Sequence, residues 1–289
     1  MIFDGIEFSE ALRWIDTLSD LAFLTMDLKH LGRGELAAWL LDAYLSENGD
    51  YAGLPLLRLY EVYRAMVRAK VAAIRAEQVE GSEAREAVLA EYLRYLRLAE
   101  ALVREGRGAI VLTYGVSGSG KSHWAGELVG ALHAVRVRSD VERKRLAGVA
   151  PTGDASADLE AGIYSAEMTA RTYRRLEDLA QYIVQAGGVA VVDATFLKQA
   201  RRRPFVELAK TLGVPWLILR CQAPEEVLRE RVRRRHAAGG DASDADLRVL
   251  EAQLLQKESL NAEEREHSLV VSPERPLDPE AVAARLWGA

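Results

Sequence analysis

The chain has a single cysteine, Cys221, so it has neither an internal disulfide framework nor a cysteine-based zinc site. It has no uncharged apolar run of about 18 residues, and its start, Met1-Ile2-Phe3-Asp4-Gly5-Ile6-Glu7, has neither a basic n-region nor an apolar h-region. Together these absences predict a cytoplasmic protein that does not enter a membrane. A net basic domain is also missing. Residues 1–107 hold 13 Lys plus Arg against 18 Asp plus Glu, and residues 108–289 hold 25 of each. A nucleic-acid partner is therefore not favoured, although a local basic groove near Arg143 and Arg201 to Arg203 would keep it open. Lysine is scarce, 7 against 31 arginines, and carries no functional reading. No internal repeat and no low-complexity tract occurs. What remains is an ordinary globular composition, 49% hydrophobic and 28% charged over 289 residues, enough for two cores.

The two halves differ in period. From about Phe8 to Arg107 the pattern is helical: Leu21, Leu24 and Leu28, then Leu36, Trp39, Leu40, Ala43 and Tyr44, then Leu59, Val62, Tyr63, Met66 and Val67 fit i, i+3, i+4 spacing. Turns are expected at Gly32-Arg33-Gly34, Asn48-Gly49-Asp50 and Gly81-Ser82, with Ser82 capping a helix through Arg104. Trp14, Trp39, Tyr60 and Tyr63 read as helix-packing core. Residues 1–107 are thus an all-α segment and 108–289 a separate domain.

In the second part, apolar runs at 109–114, 134–138, 189–192, 216–221 and 268–271 alternate with helical stretches. The helices are expected after Lys121, after Asp140, and across roughly 158–186, 198–212, 224–237 and 244–260. That rhythm predicts an α/β fold, a five-stranded, doubly wound parallel sheet flanked by helices with ligands at the strands' carboxyl ends. Gly187-Gly188 should end the long helix, and Ser243 with Asp246 resembles a capping box. Cys221, inside Trp216-Leu217-Ile218-Leu219-Arg220-Cys221, reads as a buried strand residue rather than a nucleophile.

The first strand runs directly into Gly115-Val116-Ser117-Gly118-Ser119-Gly120-Lys121-Ser122. This is the strand, glycine-rich loop and helix-start order of a phosphate-binding P-loop, or Walker A motif. Glycines at 115, 118 and 120 let the backbone curl so that its N–H groups and the helix start face an anion. Lys121 is then suited to the β- and γ-phosphates and the Ser122 hydroxyl to a Mg2+ ion, so ATP and Mg2+ are expected together. Three further constellations sit at strand ends. Asp193 closes Val189-Ala190-Val191-Val192 and suits Mg2+, as a Walker B residue does. Asp140 is either an N-cap for Val141 to Leu146 or a general base for an acceptor hydroxyl, with Arg143 one turn on holding the acceptor. Arg229, Arg231, Arg233, Arg234 and Arg235 lie on one predicted helix. Arg231 and Arg235 share a face there and suit a lid over the triphosphate, with Gly239-Gly240-Asp241 as its hinge.

With these residues in place, 108–289 resembles the P-loop kinase group that includes polynucleotide 5′-kinases, chloramphenicol phosphotransferase and zeta-toxin-like kinases. The resemblance rests on Gly115 to Ser122, Asp140-x-x-Arg143, Val191-Val192-Asp193-Ala194-Thr195 and Arg231/Arg235. It implies that Asp140 activates the acceptor and that the lid arginines contact phosphates. Phe3-Asp4-Gly5-Ile6-Glu7-Phe8, Leu12 to Asp16 and Ser19 to Leu24 are similar to the C-terminal helical portion of an aminoglycoside-phosphotransferase-like kinase. The whole chain thus resembles the C-terminal part of bifunctional aminoglycoside phosphotransferase/ATP-binding proteins. Asp4 would match the metal-binding Asp of that fold, but the N-terminal lobe and the catalytic loop that should precede it are absent, so residues 1–107 are expected to have no complete phosphotransferase site and to be either the end of a longer protein or a remnant that serves as a helical platform for the P-loop domain.

The expected function is an ATP-dependent phosphotransferase acting on a hydroxyl group of a small molecule, selected by the segment Pro151 to Thr172 with Tyr164 and Ser165. Lys121, Asp140, Arg143, Arg231 and Arg235 would be catalytic, with Ser122 and Asp193 on the metal. The alternatives are an ATP-binding regulatory module without kinase activity and a nucleic-acid 5′-end kinase.

Overall fold

The computed structural model describes residues 14–104, 106–149, 164–238 and 246–288. Asp4 and its neighbours, residues 151–163 of the proposed acceptor segment, Gly239-Gly240-Asp241 and Ser243 lie outside the described residues. The chain divides into two compact units. One contains residues 14–40 and 52–104, and the other contains residues 41–51 and 106–288.

The helical part has α1 (Thr17–His30), α2 (Gly34–Asn48), a 3-10 turn (Tyr51–Gly53), α3 (Leu54–Gln78) and α4 (Ser82–Arg104). Asp16 caps α1 by accepting the Leu18 N–H at 2.9 Å. The three expected turns hold, with φ of +72° at Gly32, +77° at Gly49 and +96° at Gly81. The buried faces differ from expectation. Trp14, Trp39 and Tyr63 are exposed rather than core, and so are Leu24, Leu36, Leu59 and Met66. Helix α3 instead buries Leu54, Leu57, Glu61, Ala65, Ala69, Ala72 and Ala76. Its sequence offers two stripes of helical period, and the alanine stripe is the one turned inward. Small side chains allow α3 to approach Met26, Tyr95 and Ala99 closely, and the bulky stripe is left outside. Glu61 is tolerated in that interface because Lys29 Nζ meets it at 2.8 Å.

The second unit is built on a five-stranded, wholly parallel sheet in the order β2-β3-β1-β4-β5. The strands are β1 (Ala109–Tyr114), β2 (Val135–Arg138), β3 (Val189–Asp193), β4 (Trp216–Cys221) and β5 (Ser268–Val271). They are separated by α5 (Lys121–Leu132), α6 (Ser139–Leu146), α7 (Ala166–Gln185), α8 (Gln199–Leu212), α9 (Glu225–Ala238), α10 (Leu247–Gln256) and α11 (Ala262–Glu266), and α12 (Pro279–Trp287) follows β5. Every residue of β1 and β3 is buried, which accounts for their unbroken apolar runs: helices cover both sheet faces. On one face Val111, Val191, Leu217 and Leu219 pack with Leu128 of α5 and Val282 and Leu286 of α12. Because β1 lies between β3 and β4, its carboxyl end sits where the strand order reverses, the usual ligand crevice of such sheets.

On the other face the fully buried Arg202 pairs with Glu264, Nε to Oε1 at 2.7 Å and Nη2 to Oε2 at 3.0 Å, and donates to the Phe196 carbonyl at 2.8 Å. Arg202 is therefore a core staple and not part of a basic groove, and Arg203 pairs with Glu207 one turn along α8 at 3.0 Å. Helix α10 is capped by Asp246, which accepts the Val249 N–H, so Asp246 is the cap itself rather than the far end of a capping box begun at Ser243. Gly187, at φ +79°, follows the end of α7. At the β2 edge, Asp42 accepts both the backbone N–H and Nη2 of Arg136 at 3.0 Å each, so part of that edge is satisfied by the 41–51 segment.

Candidate functional site

The glycine-rich loop leaves β1 at Tyr114 and enters α5 at Lys121. Gly118 and Gly120 have φ of +80° and +90°, a region that costs an L side chain energy. Gly115 is demanded by space instead: a Cβ there would lie 2.5 Å from Ser119 Oγ and 2.7 Å from the Cys221 carbonyl. Its N–H donates to the Thr195 carbonyl at 3.1 Å, and the Ser119 N–H closes on the Val116 carbonyl at 3.2 Å. The N–H groups of Lys121 and Ser122 open α5 and have no intrahelical acceptor. The buried Ser119 Oγ has no hydrogen-bond partner among the described residues. Such a cradle of unpaired donors around glycines suits phosphate oxygens.

Lys121 Nζ donates to the Val116 carbonyl at 2.9 Å, so the cation lies over the loop. Burial lowers its pKa, the charges of Asp193 and Asp140 pull it back up, and Arg235 lowers it further. Asp193 ends β3, is 5% exposed, and faces Arg138 Nε of β2 at 3.8 Å, as their paired register requires. Asp140 is not the N-cap that one reading allowed. Helix α6 begins at Ser139, with Arg138 at the cap position, so Asp140 stands inside the first turn. Burial raises its pKa and the Asp193 charge raises it further, against the pull of Arg138, Arg143 and Lys121. The ends of β1, β2 and β3 thus bring Lys121, Asp140 and Asp193 into one electrostatic neighbourhood. Arg143, 8% exposed, donates to Thr169 Oγ1 at 3.1 Å and lies 5.3 Å from the centre of the Tyr164 ring.

Helix α9 lies on the loop. Leu228 and Val232 pack with Val116, and a Cβ on Gly118 would meet the Leu228 carbonyl at 2.8 Å. Arg231 Nη1 donates to the Gly118 carbonyl at 3.3 Å, and Arg235 is close enough to disfavour the Lys121 charge. The rest of the arginine run faces elsewhere: Arg229 pairs with Glu225 and Glu251, and Arg233 and Arg234 are exposed. Cys221, 2% exposed, has its thiol pushed up to about 12 by burial and is no nucleophile at neutral pH.

Two contacts had no sequence motif. Gln253 Oε1 accepts the Ser117 N–H at 2.7 Å, so α10 holds the loop from the side; the one available signal was Leu250, fully buried one turn earlier on the same face. Thr113 Oγ1 donates to the Ala194 carbonyl at 2.7 Å and accepts the Ala194 N–H at 3.1 Å, which ties the exit of β3 to β1. That exit contains Phe196 at φ +47°, an aromatic residue held in left-handed backbone.

The residues present fit a nucleoside triphosphate with a divalent cation. The described residues contain no group of three His, Cys, Asp or Glu side chains that would cage a metal by itself. Asp193 and the Ser122 hydroxyl make a sparse donor set, suited to an ion such as Mg2+ that takes its other oxygens from phosphate and water.

The sequence profile described as an AAA domain matches residues 110–260, just over half of the chain. Uncharacterized proteins of Mycobacterium tuberculosis and Mycobacterium bovis are 30% identical over 242 residues, covering 84% of this chain and 48% of theirs. The chain therefore spans about half the length of the curated relatives it matches. Among solved structures, Chaetomium thermophilum Kti12 in complex with ADP-AlF3 is 15% identical at a TM-score of 0.49, over 62% of this chain and 100% of that one. The Mycobacterium tuberculosis APS kinase CysC in complex with AMPPNP and APS is 20% identical at a TM-score of 0.43, over 62% and 98%.

Proposed function

The chain belongs to the AAA-domain family, and from that premise we propose that residues 108–289 form a P-loop phosphotransferase that moves the γ-phosphoryl group of ATP to an alcohol. The observation that carries this reading is the placement of Asp140, in the first turn after β2, near enough to Lys121 and Asp193 for their charges to act on one another. A nucleotide-binding module needs the glycines and Lys121. A second carboxylate, in the first turn of the helix that follows β2 and with its pKa raised by burial, has no use in binding a polyanion. It suits proton removal from a hydroxyl, since a raised pKa makes a carboxylate a better base.

The roles follow from position. The loop amides and Lys121 hold the phosphates, and α9 lays Arg231 and Arg235 over them, where positive charge stabilises the transferring group. Asp193 and Ser122 would hold Mg2+, which would supply charge neutralisation for the phosphates when bound. Asp140 takes the proton of the acceptor hydroxyl, and Arg143, fixed by Thr169, orients the acceptor. Catalysis is mostly positioning and charge complementarity.

The test is Asp140→Asn. Phosphoryl transfer is expected to fall by about 10²–10⁴-fold while affinity for an unhydrolysable ATP analogue stays within about twofold. Equal turnover in variant and parent would remove Asp140 from the site and favour the binding-module alternative.

A further inference from the structure

Asp42 lies outside the residues 108–289 that the sequence assigns to the phosphate-binding domain, yet it is joined to that domain by hydrogen bonds that the roles above do not use. It stands in the second half of α2, in the segment 41–51 that groups with the sheet. Its carboxylate, 3% exposed, accepts two bonds from one residue of the edge strand β2. The Arg136 N–H reaches Oδ1 and Arg136 Nη2 reaches Oδ2, both at 3.0 Å. An arginine on an edge strand ordinarily extends into water. This one is folded back, and its other terminal nitrogen, Nη1, donates to the Ser122 carbonyl at 3.2 Å. Ser122 stands in the first turn of α5 and carries the hydroxyl suited to the metal. One guanidinium therefore bridges a carboxylate of α2 and the turn of α5 that bears the metal ligand.

Fold stability alone does not account for this bridge. The edge N–H of Arg136 is satisfied by one carboxylate oxygen, and that bond would stand with a short side chain at position 136. A cation beside the first turn of a helix opposes the helix dipole, so the Nη1 contact does not stabilise α5 by its charge. What the contact adds is orientation. The guanidinium is a rigid fork, and seating one prong on Asp42 fixes where the other meets the Ser122 backbone. The same segment grips the other side of the site. The Ser46 carbonyl accepts from Arg145 Nη2 at 2.7 Å, and Arg145 pairs with the buried Glu142 on α6, the helix that carries Asp140. Gly49, at φ +77°, leaves room for that arginine, since a Cβ there would lie 2.7 Å from Arg145 Nε.

We propose that Asp42 is a positioning residue of the nucleotide site: through Arg136 it sets the first turn of α5, and with it the Ser122 hydroxyl, for a metal-bound nucleotide. The chain before residue 108 then supplies a piece of the site. The inference rests on the metal–nucleotide part of the reading above and not on transfer to an alcohol.

The experiment uses the full chain and measures AMPPNP affinity by calorimetry, once with Mg2+ and once with EDTA. Asp42→Asn keeps an oxygen for the Arg136 N–H and removes the charge that holds the guanidinium. The factor by which Mg2+ tightens AMPPNP binding is expected to shrink by about 10-fold, as for other groups that orient a metal ligand. In EDTA the variant should bind AMPPNP at least as tightly as the parent, because Arg136 has lost its counter-charge. Loosened packing alone would weaken binding in both conditions. Ser122→Ala should also remove the Mg2+ gain, and Asp42→Asn added to it should remove no more, since both act on one hydroxyl. Arg136→Lys has a single charged head that cannot span Asp42 and Ser122 together, so it should shrink the Mg2+ gain likewise. It carries the test if Asp42→Asn does not fold. An undiminished Mg2+ gain in either folded variant, or losses that add in the double variant, would overturn the positioning role. A parent that gains nothing from Mg2+ would overturn it together with the metal assignment. A gain present in the parent and lost in the variants upholds it even if no alcohol is phosphorylated, in which case the phosphotransferase reading alone falls.

Discussion

Replacing Gly118 by alanine tests whether α9 is seated on the P-loop. Gly118 has φ +80°, and an added Cβ would lie 2.8 Å from the Leu228 carbonyl and 3.3 Å from Leu228 Cα, both backbone atoms of α9. Left-handed strain costs about 1–2 kcal/mol, and the stiffer unfolded chain returns about 0.4–1 kcal/mol. The collision adds about 1–3 kcal/mol, because helical backbone cannot rotate away as a side-chain tip would. Gly118→Ala should therefore destabilise the protein by about 2–4 kcal/mol. Gly213→Ala supplies the control: φ is +65° there, but nothing lies within 4 Å of its added Cβ, so only the strain remains and the loss is about 1 kcal/mol. Urea unfolding at unchanged m-value gives the two costs, and titration with AMPPNP and Mg2+ gives the functional arm. Only Gly118→Ala should lose nucleotide affinity, since displacing α9 also pulls Arg231 from the Gly118 carbonyl. Equal destabilisation of the two variants, or full nucleotide affinity in Gly118→Ala, would refute the seated-lid geometry.

Lys121→Ala should remove most of the rise in melting temperature that ATP with Mg2+ gives the parent protein; an undiminished rise would take Lys121 out of the site. Gln253→Leu leaves the Ser117 N–H without its acceptor, so a loss of about 1–3 kcal/mol is expected in denaturant unfolding, and no measurable loss would mean that α10 does not hold the loop. Asp140 has a folded pKa raised above the usual 3.8, so its contribution favours folding most at low pH and is lost as pH rises through the folded pKa. Asp140→Asn removes that loss, so the variant should equal or exceed the parent in stability near pH 7 and lose the advantage toward pH 3.8; a neutral-pH deficit in thermal melts would contradict the buried-carboxylate account.

The P-loop was legible because its chemistry is local. Three glycines, a lysine and a serine at fixed spacing after an apolar strand act through backbone shape that no distant contact has to supply. Asp193 was legible for a related reason, since the last residue of a fully buried strand must emerge at the sheet's carboxyl edge. The place of Asp140 in its helix was not. Whether Asp140 is the cap turned on whether α6 begins at Ser139 or at Val141, and a two-residue difference in helix start is not encoded in residue type. Arg201 to Arg203 read as one basic run, yet Arg202 is fully buried against Glu264, from which it is separated by most of α8, β4, α9 and α10.

By itself the sequence determined the alternation of buried strands and helices, the wholly parallel sheet that such alternation builds, the phosphate loop and the helical character of the first part. All of these depend on periodicity or on short-range backbone requirements. Tertiary structure decided which helical stripe is core, because Ala65, Ala69, Ala72 and Ala76 win over larger residues only when a partner helix can come close. It also decided which groups meet at the site. Gln253 on Ser117 and Tyr173 beside Thr195 join residues from different elements, and Asp140 and Asp193 come near enough for the charge of one to act on the other because the parallel sheet delivers its strand ends to one edge.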